Sequence, residues 1–314
     1  MHAFVELLQV RGYSERLLIN EPMANHTTIR VGGPADWMLV VTRLDEMIEL
    51  VGLSRKAGIP AMVVGGGSNI LVADKGIRGF VIINRCEAIE MPTAGTLECE
   101  AGVPIKAASR YAIERGWEGL EWACGVPGTV GGAVVGNAGA YGGCIADNLA
   151  WADLLHTDGR IECASAAQLE FSYRSSVLKR VPSLERPLVL RCAFNLKPGD
   201  TAELERRAQS YTRQRTERIP SEPSAGSVFK RTLQFPAGFL VEQCGLKGYQ
   251  VGGAQVSKLH ANVVINTGNA SAADVAQVIN HMRRQVWENH GLQLELEIEF
   301  VGDWPAEPDT RSTK

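Results

Sequence analysis

The sequence predicts an α+β protein organised as two domains or three small ones. Three observations carry the prediction: a β-α-β pattern near the start, a strong hairpin signal at Asp158-Gly159, and a length of 314 residues, enough to bury more than one core. The apolar fraction of 45%, the charged fraction of 21% and the net charge of -3 are those of an ordinary globular chain, with no general attraction for nucleic acid or anionic membrane.

In chain order, an N-terminal helix precedes a strand at Ala35 to Val41 and a helix at Leu44 to Ala57. There Leu44, Met47, Ile48 and Val51 recur at helical spacing and Gly58 stands past the end. Ala61 to Val64 is a short buried strand running into Gly65-Gly66-Gly67-Ser68-Asn69, and Gly79 to Asn84 is a further apolar strand. A glycine-rich turn at the carboxyl end of a strand is where open α/β sheets bind ligands. It is not the dinucleotide fingerprint, because Ile70 stands where G-x-G-x-x-G requires glycine, and no G-x-x-x-x-G-K-[ST] occurs.

Pro104 to Arg115 fits a helix stopped by Gly116. Trp151 to Thr157 and Arg160 to Cys163 flank Asp158-Gly159 as a type I′ hairpin, and Pro187 to Leu196 supplies another strand. Asp200 to Arg218 reads as a polar helix ended by Pro220-Ser-Glu-Pro223, the expected domain boundary. An apolar helix near Ala237 to Cys244, a strand at Val263 to Asn266 and a helix at Ser271 to His290 follow, the last opened by a Ser271/Asp274 capping box. An alternating strand at Leu294 to Val301 completes the pattern, and the tail from Asp303 is expected to fray.

Gly125 to Gly143 holds eight glycines in nineteen residues. Glycine permits positive φ and exposes backbone N–H groups, so a neighbouring segment or a flat phosphorylated ligand can lie against the main chain. On its residues alone two readings stand: a wrap around a dinucleotide cofactor, and a set of tight turns between buried strands. The seven cysteines are scattered without C-x-x-C and read as free thiols, and the six histidines form no H-E-x-x-H, which leaves no metal candidate. With no apolar run of membrane-spanning length and no signal-peptide pattern at Met1 to Val10, the expected location is the cytoplasm.

Several pieces in order now bear on family: Thr27-Thr-Ile-Arg30-Val-Gly-Gly33-Pro-Ala-Asp36, Gly65 to Asn69, Gly125 to Gly142, Tyr173-Arg174-Ser175, Ser224-Ala-Gly-Ser227-Val-Phe-Lys230, Gly245-Leu-Lys-Gly248, Gly252-Gly-Ala-Gln255-Val-Ser257 and Leu294 to Gly302. From about Asn25 to Gly302 the chain resembles the UDP-N-acetylenolpyruvoylglucosamine reductases (MurB), and the lack of an inserted segment before Ser227 fits the shorter, type II-like subgroup. The resemblance implies a vanillyl-alcohol-oxidase/PCMH-like FAD-binding fold: two α+β subdomains at 1–85 and 86–198, then a C-terminal α+β substrate domain at 199–302 whose last strand is able to return to the FAD-binding part, and a tail at 303–314.

It also implies the reaction. NADPH reduces FAD, which passes hydride to the enolpyruvyl double bond of UDP-N-acetylglucosamine enolpyruvate, giving UDP-N-acetylmuramate for peptidoglycan. By motif match Arg174 stabilises charge on the substrate carboxylate, Ser227 returns a proton to carbon, and Glu297 assists as acid or orienting partner. The implied cofactor-binding residues are Gly65, Gly66, Gly67, Ser68, Asn69, Val126, Thr129, Gly131, Gly132, Asn137, Gly139 and Arg213; those implied for the substrate are Tyr173, Arg215, Lys230, Gln255, Lys258 and His260. Asn137 equally suits a turn-stabilising role, and a solvated helix face is the alternative for Arg213 and Arg215.

Two departures from the family pattern stand out: Arg231-Thr232 where Asn-Pro is usual, and Glu299 where basic residues are common. Beyond the UDP-sugar and NADPH no partner is expected, neither nucleic acid nor membrane, and the expected state is a monomer. The competing readings are another FAD oxidoreductase or oxidase of the same fold, and a non-catalytic nucleotide-binding relative.

Overall fold

Three sheets organise the protein, whose computed structural model describes residues 2–305. The first comprises β1 (Leu18–Pro22), β2 (Pro34–Val41), β3 (Ala61–Val64) and β5 (Ile77–Asn84) in the order β1-β2-β5-β3, while β4 (Ile70–Val72) stands apart from it. The pairs β2–β5 and β3–β5 are parallel and β1 is an antiparallel edge. Alternate residues of β5 enter two cores: Phe80 and Ile82 join residues of α1 (His2–Val10) and α2 (Leu44–Lys56), whereas Val81 and Ile83 pack with Met38 and Met62. Burial on both faces is why this strand reads as an unbroken apolar run. Phe4 pins α1 to the sheet, edge-on to Trp37 and Phe80 at centroid distances of 5.8 and 5.3 Å.

The second sheet contains β6 (Ile89–Thr93), β7 (Thr96–Glu100), β8 (Leu149–Leu155), β9 (Ile161–Ser165) and β10 (Leu188–Asn195), antiparallel throughout in the order β9-β8-β10-β7-β6. Its core takes in α3 (Ile105–Ile113) and α4 (Val130–Gly136). α4 is a helix that the glycine-rich segment conceals in the sequence. Thr129 caps it, Val130, Ala133 and Val134 are buried, and Asn137 ends it in the left-handed region at φ 43°. Gly131 is required there because a Cβ would lie 2.7 Å from that of Ala101.

The β8–β9 connection is not the expected type I′ turn. His156 N–H donates to Arg160 O and Gly159 N–H to His156 O, with positive φ at Gly159 but not at Asp158. The loop is therefore three residues closed by a left-handed glycine, and the Asp158 carboxylate accepts the Arg160 N–H at 2.9 Å.

α5 (Thr201–Arg218) leads to the third sheet: β11 (Ser224–Ser227), β12 (Gln250–Val251), β13 (Ala254–Val256) and β14 (Val263–Asn266) in the order β11-β14-β13-β12. α6 (Ala237–Gln243) and α7 (Ala272–His290) cover it, and α7 has both halves of its capping box and Gly291 at φ 65°. The predicted strand at Leu294 to Val301 shortens to β15 (Glu299–Val301), which runs parallel to β4 in the first unit, Glu299 opposite Ile70. Its alternation is real, since Leu294 and Ile298 are buried in the third core, but the segment crosses between units and only its end joins a ladder. Of the tail expected to fray, Trp304 is tied down by an Nε1–H bond to Val301 O at 2.9 Å. Residues 306–314 lie outside the described residues.

Candidate functional site

A cavity of about 330 Å3 lies where the three units meet. Two glycine-rich segments form much of its wall, Gly65 to Asn69 after β3 and Val126 to Ala140 around α4. They touch at the backbone: a Cβ on Gly65 would lie 2.2 Å from Thr129 Oγ1, one on Gly66 2.9 Å from Gly128 Cα, and one on Gly128 2.7 Å from Ser68 Oγ. Only glycine permits this approach.

The N-terminus of α4 is not itself open to a ligand, because Val130 and Gly131 donate their N–H groups to Val103 O and Ala101 O. Among the described residues, however, none accepts from the backbone N–H of Gly66, Gly67, Ser68, Asn69, Gly128 or Thr129, all on the cavity wall. Unpaired N–H donors beside a wall with little side-chain bulk suit the diphosphate and flat ring of a dinucleotide such as FAD. At Gly132 a Cβ would meet protein only at 3.7 Å, and at Gly136 nothing within 4 Å, so on that flank the glycines leave space.

Arg174, Ser227 and Glu297, from three segments, all line the cavity, Arg174 against Glu297 and Glu297 bonded through its backbone N–H to Val228, the residue after Ser227. Arg174 occupies a tight turn in which Ser172 and Ser175 exchange backbone hydrogen bonds, and it holds φ 54°, a region ordinarily left to glycine or asparagine. α4 supports that turn: Asn137 Nδ2 donates to Ser172 O at 2.9 Å and Ser176 Oγ to Val135 O at 2.6 Å. Arg174 Nε lies 3.1 Å from Glu297 Oε1, yet its N–H is not aligned on that oxygen and has no hydrogen-bond acceptor. The contact is an ion pair, with Arg174 Nε itself buried.

Glu297 is fixed by its backbone. Its N–H donates to Val228 O at 2.8 Å, and its carbonyl accepts from Asn69 Nδ2 at 3.1 Å and Lys179 Nζ at 2.8 Å. Burial pushes its carboxyl above the usual range, against the pull of Arg174, Lys179 and Lys230. Ser227 ends β11 after Gly226 at φ 75°, and its hydroxyl bonds no described residue.

Of the residues implied for the cofactor, Gly65, Gly66, Gly67, Ser68, Asn69, Val126, Thr129, Gly131, Gly132 and Gly139 line the cavity. Asn137 does not: it is buried, bonded to Ser172 and Ala146, and acts on the cavity by holding the Arg174 turn. Arg213 faces a separate shallow groove with Arg110 and Thr216, because two positions along α5 place it on the side away from Arg215. Arg215 lines the cavity, and burial lowers its pKa.

The other substrate positions lie off the wall. Tyr173 is exposed, Lys230 pairs with Glu295, Gln255 donates to Gln250 and Lys258 is exposed. The half-buried His260 accepts from its neighbour Asn262 N–H at 3.2 Å, and burial lowers its pKa. Sequence reasoning missed Lys179 and Arg186, which line the cavity. The Glu299 departure has a local explanation, since Arg186 pairs with it inside the cavity. Arg231 is exposed and bonds no described residue.

Comparison with known proteins agrees with this architecture. Residues 35–165 match the family described as FAD binding domain, and residues 217–301 match the C-terminal domain of UDP-N-acetylenolpyruvoylglucosamine reductase. A reductase of that name from Heliobacterium modesticaldum is 39% identical over 307 residues, covering 97% of this chain and 96% of its own. One from Synechococcus sp. (strain RCC307) is 43% identical, covering 90% and 92%. The crystal structure of the reductase from Thermus caldophilus superposes with a TM-score of 0.76 at 33% identity, over 92% of this chain and 98% of that one. With its glycine-walled cavity, its FAD-binding domain and this likeness along nearly its whole length, the chain belongs to the UDP-N-acetylenolpyruvoylglucosamine reductase family.

Proposed function

We propose that the protein reduces the enolpyruvyl double bond of UDP-N-acetylglucosamine enolpyruvate to give UDP-N-acetylmuramate, a peptidoglycan precursor, with FAD as cofactor and NADPH as reductant. The observation that supports the residue assignment is that Arg174, Ser227 and Glu297 all line one cavity, walled in large part by glycine-rich segments, with Arg174 3.1 Å from Glu297.

When bound, FAD supplies the hydride chemistry, accepting from NADPH and releasing to the substrate carbon. The two loops at Gly65 to Asn69 and Gly128-Thr129 hold it by backbone N–H groups. Reduction of an enol ether conjugated with a carboxylate drives charge onto that carboxylate, and Arg174, whose side chain lines the cavity, stabilises it. Ser227 returns the proton to carbon from a hydroxyl that the protein leaves unbonded. Glu297, whose carboxyl burial shifts above its ordinary pKa, replenishes or orients that hydroxyl and stands 3.1 Å from Arg174 Nε.

In this reading residues 1–85 and 86–198 seat the cofactor, 199–302 seat the UDP-sugar, and Arg215 offers its charge to phosphate. The protein works as a cytoplasmic monomer, and its net charge of -3 gives no broad pull toward nucleic acid or anionic membrane.

The test is direct. Purified protein should carry about one FAD per chain and oxidise NADPH only when the enolpyruvyl UDP-sugar is added. A protein that takes up no FAD, or whose turnover makes hydrogen peroxide without the UDP-sugar, rejects the reading in favour of a silent relative or an oxidase respectively.

A further inference from the structure

We propose that Lys179 is a positioning residue for this reaction, acting through Glu297: its ammonium holds the Glu297 carbonyl and so sets where the Glu297 carboxyl stands against Arg174. The inference rests on the assignment of Glu297 to the reacting end of the cavity.

The geometry behind it is specific. Lys179 lies five positions after Arg174, past a short turn locked to α4 by Ser176, and lines the same cavity. Its Nζ donates to Glu297 O at 2.8 Å, its one hydrogen bond to a described residue. The same carbonyl already accepts from Asn69 Nδ2, so a neutral donor suffices to satisfy it. Placing a half-buried ammonium there as well incurs a desolvation cost that a purely structural bond does not justify. What a cation adds is a positive charge acting on the Glu297 carboxyl from the backbone side.

The charged groups facing Glu297 are Arg174, Lys179 and Lys230, and those facing Lys179 are Glu299, Glu297, Lys230 and Arg186. Arg186 is committed to Glu299 and Lys230 to Glu295; Arg174 is paired with Glu297, and Lys179 forms no ion pair of its own among the described residues but faces both Glu299 and Glu297. Lys179 thus opposes the effect of burial on Glu297. Without it, both the aim of the carboxyl and its proton affinity change.

The experiment is a double-substitution cycle on the FAD-loaded enzyme with Lys179→Met, Lys179→Arg and Glu297→Gln. Rapid mixing reads reoxidation of the reduced flavin by the enolpyruvyl UDP-sugar across pH, and carboxyl NMR reads the Glu297 titration. Lys179→Met should slow reoxidation roughly 10- to 100-fold and raise the Glu297 midpoint, Lys179→Arg should restore much of both, and Lys179→Met should add little in the Glu297→Gln background. An equal loss in both backgrounds, an unmoved Glu297 midpoint, or an unchanged rate overturns the role of Lys179 while leaving that of Glu297 standing. A Glu297→Gln enzyme with wild-type reoxidation instead overturns the Glu297 assignment itself. Should Lys179→Met fail to fold, Lys179→Gln takes its place in the same cycle with the same outcomes.

Discussion

Arg174 and Glu297, 3.1 Å apart from Nε to Oε1, join the second unit to the segment that leads into the strand returning to the first, and the Arg174 backbone sits in the left-handed region. A non-glycine residue at φ 54° in a tight turn carries strain of about 1 kcal/mol. Both Arg174→Gly and Arg174→Ala remove the guanidinium, but only glycine relieves the turn. Urea denaturation should therefore place Arg174→Gly about 1 kcal/mol above Arg174→Ala in stability, with both inactive in reoxidation. Equal stabilities would mean that the turn relaxes when the arginine is lost.

The pH dependence of stability reports on Glu297. Its pKa in the folded protein is raised, chiefly by burial, so folding takes up a proton at this site. That contribution is fully present below the ordinary glutamate pKa and is lost as pH rises through the elevated folded value. Glu297→Gln should therefore flatten the decline of Tm between the ordinary glutamate range and neutrality. Parallel Tm curves for the two proteins would show that the carboxyl is not held in a desolvating environment.

The two kinds of glycine in the cavity wall should separate in a test of cofactor retention. Gly65→Ala forces a methyl into Thr129 and should lower both thermal stability and FAD affinity. Gly132→Ala meets only Thr129 Oγ1 at 3.7 Å and lies in a helix, so the flavin-free protein should be as stable as wild type or more so. Its FAD affinity should nonetheless fall roughly tenfold or more, because the methyl occupies ligand space. Tm of the flavin-free variants and FAD titration by fluorescence check both. Unchanged FAD affinity in Gly132→Ala would place the cofactor away from α4.

What the sequence made legible was set by short-range physics. The capping box of Ser271 and Asp274 and the apolar run of β5 are local signals, and each is found where it indicates. Glycine density marked the loops at Gly65 and Gly128 but hid α4, since turn propensity and helix capping compete for the same residues and the fit of Gly131 against Ala101 decided the outcome. Lys179 and Arg186 could not be found from spacing at all. Their place at the cavity follows from the return of β15 to β4, which brings Glu297 and Glu299 beside them, and that pairing spans most of the chain. Arg213 and Arg215 carried the same local signal, and only the packing of α5 separates them.

The central claim is a division of labour: glycine backbone holds the cofactor, while Arg174, Ser227 and Glu297 handle charge and proton. Ser227→Ala tests it most directly, by stopped-flow measurement of each half-reaction in the flavin-loaded enzyme. The account predicts near wild-type reduction of the flavin by NADPH and reoxidation by the enolpyruvyl UDP-sugar slowed by roughly two to four orders of magnitude. Equal slowing of both half-reactions, or reoxidation at the wild-type rate, would contradict it.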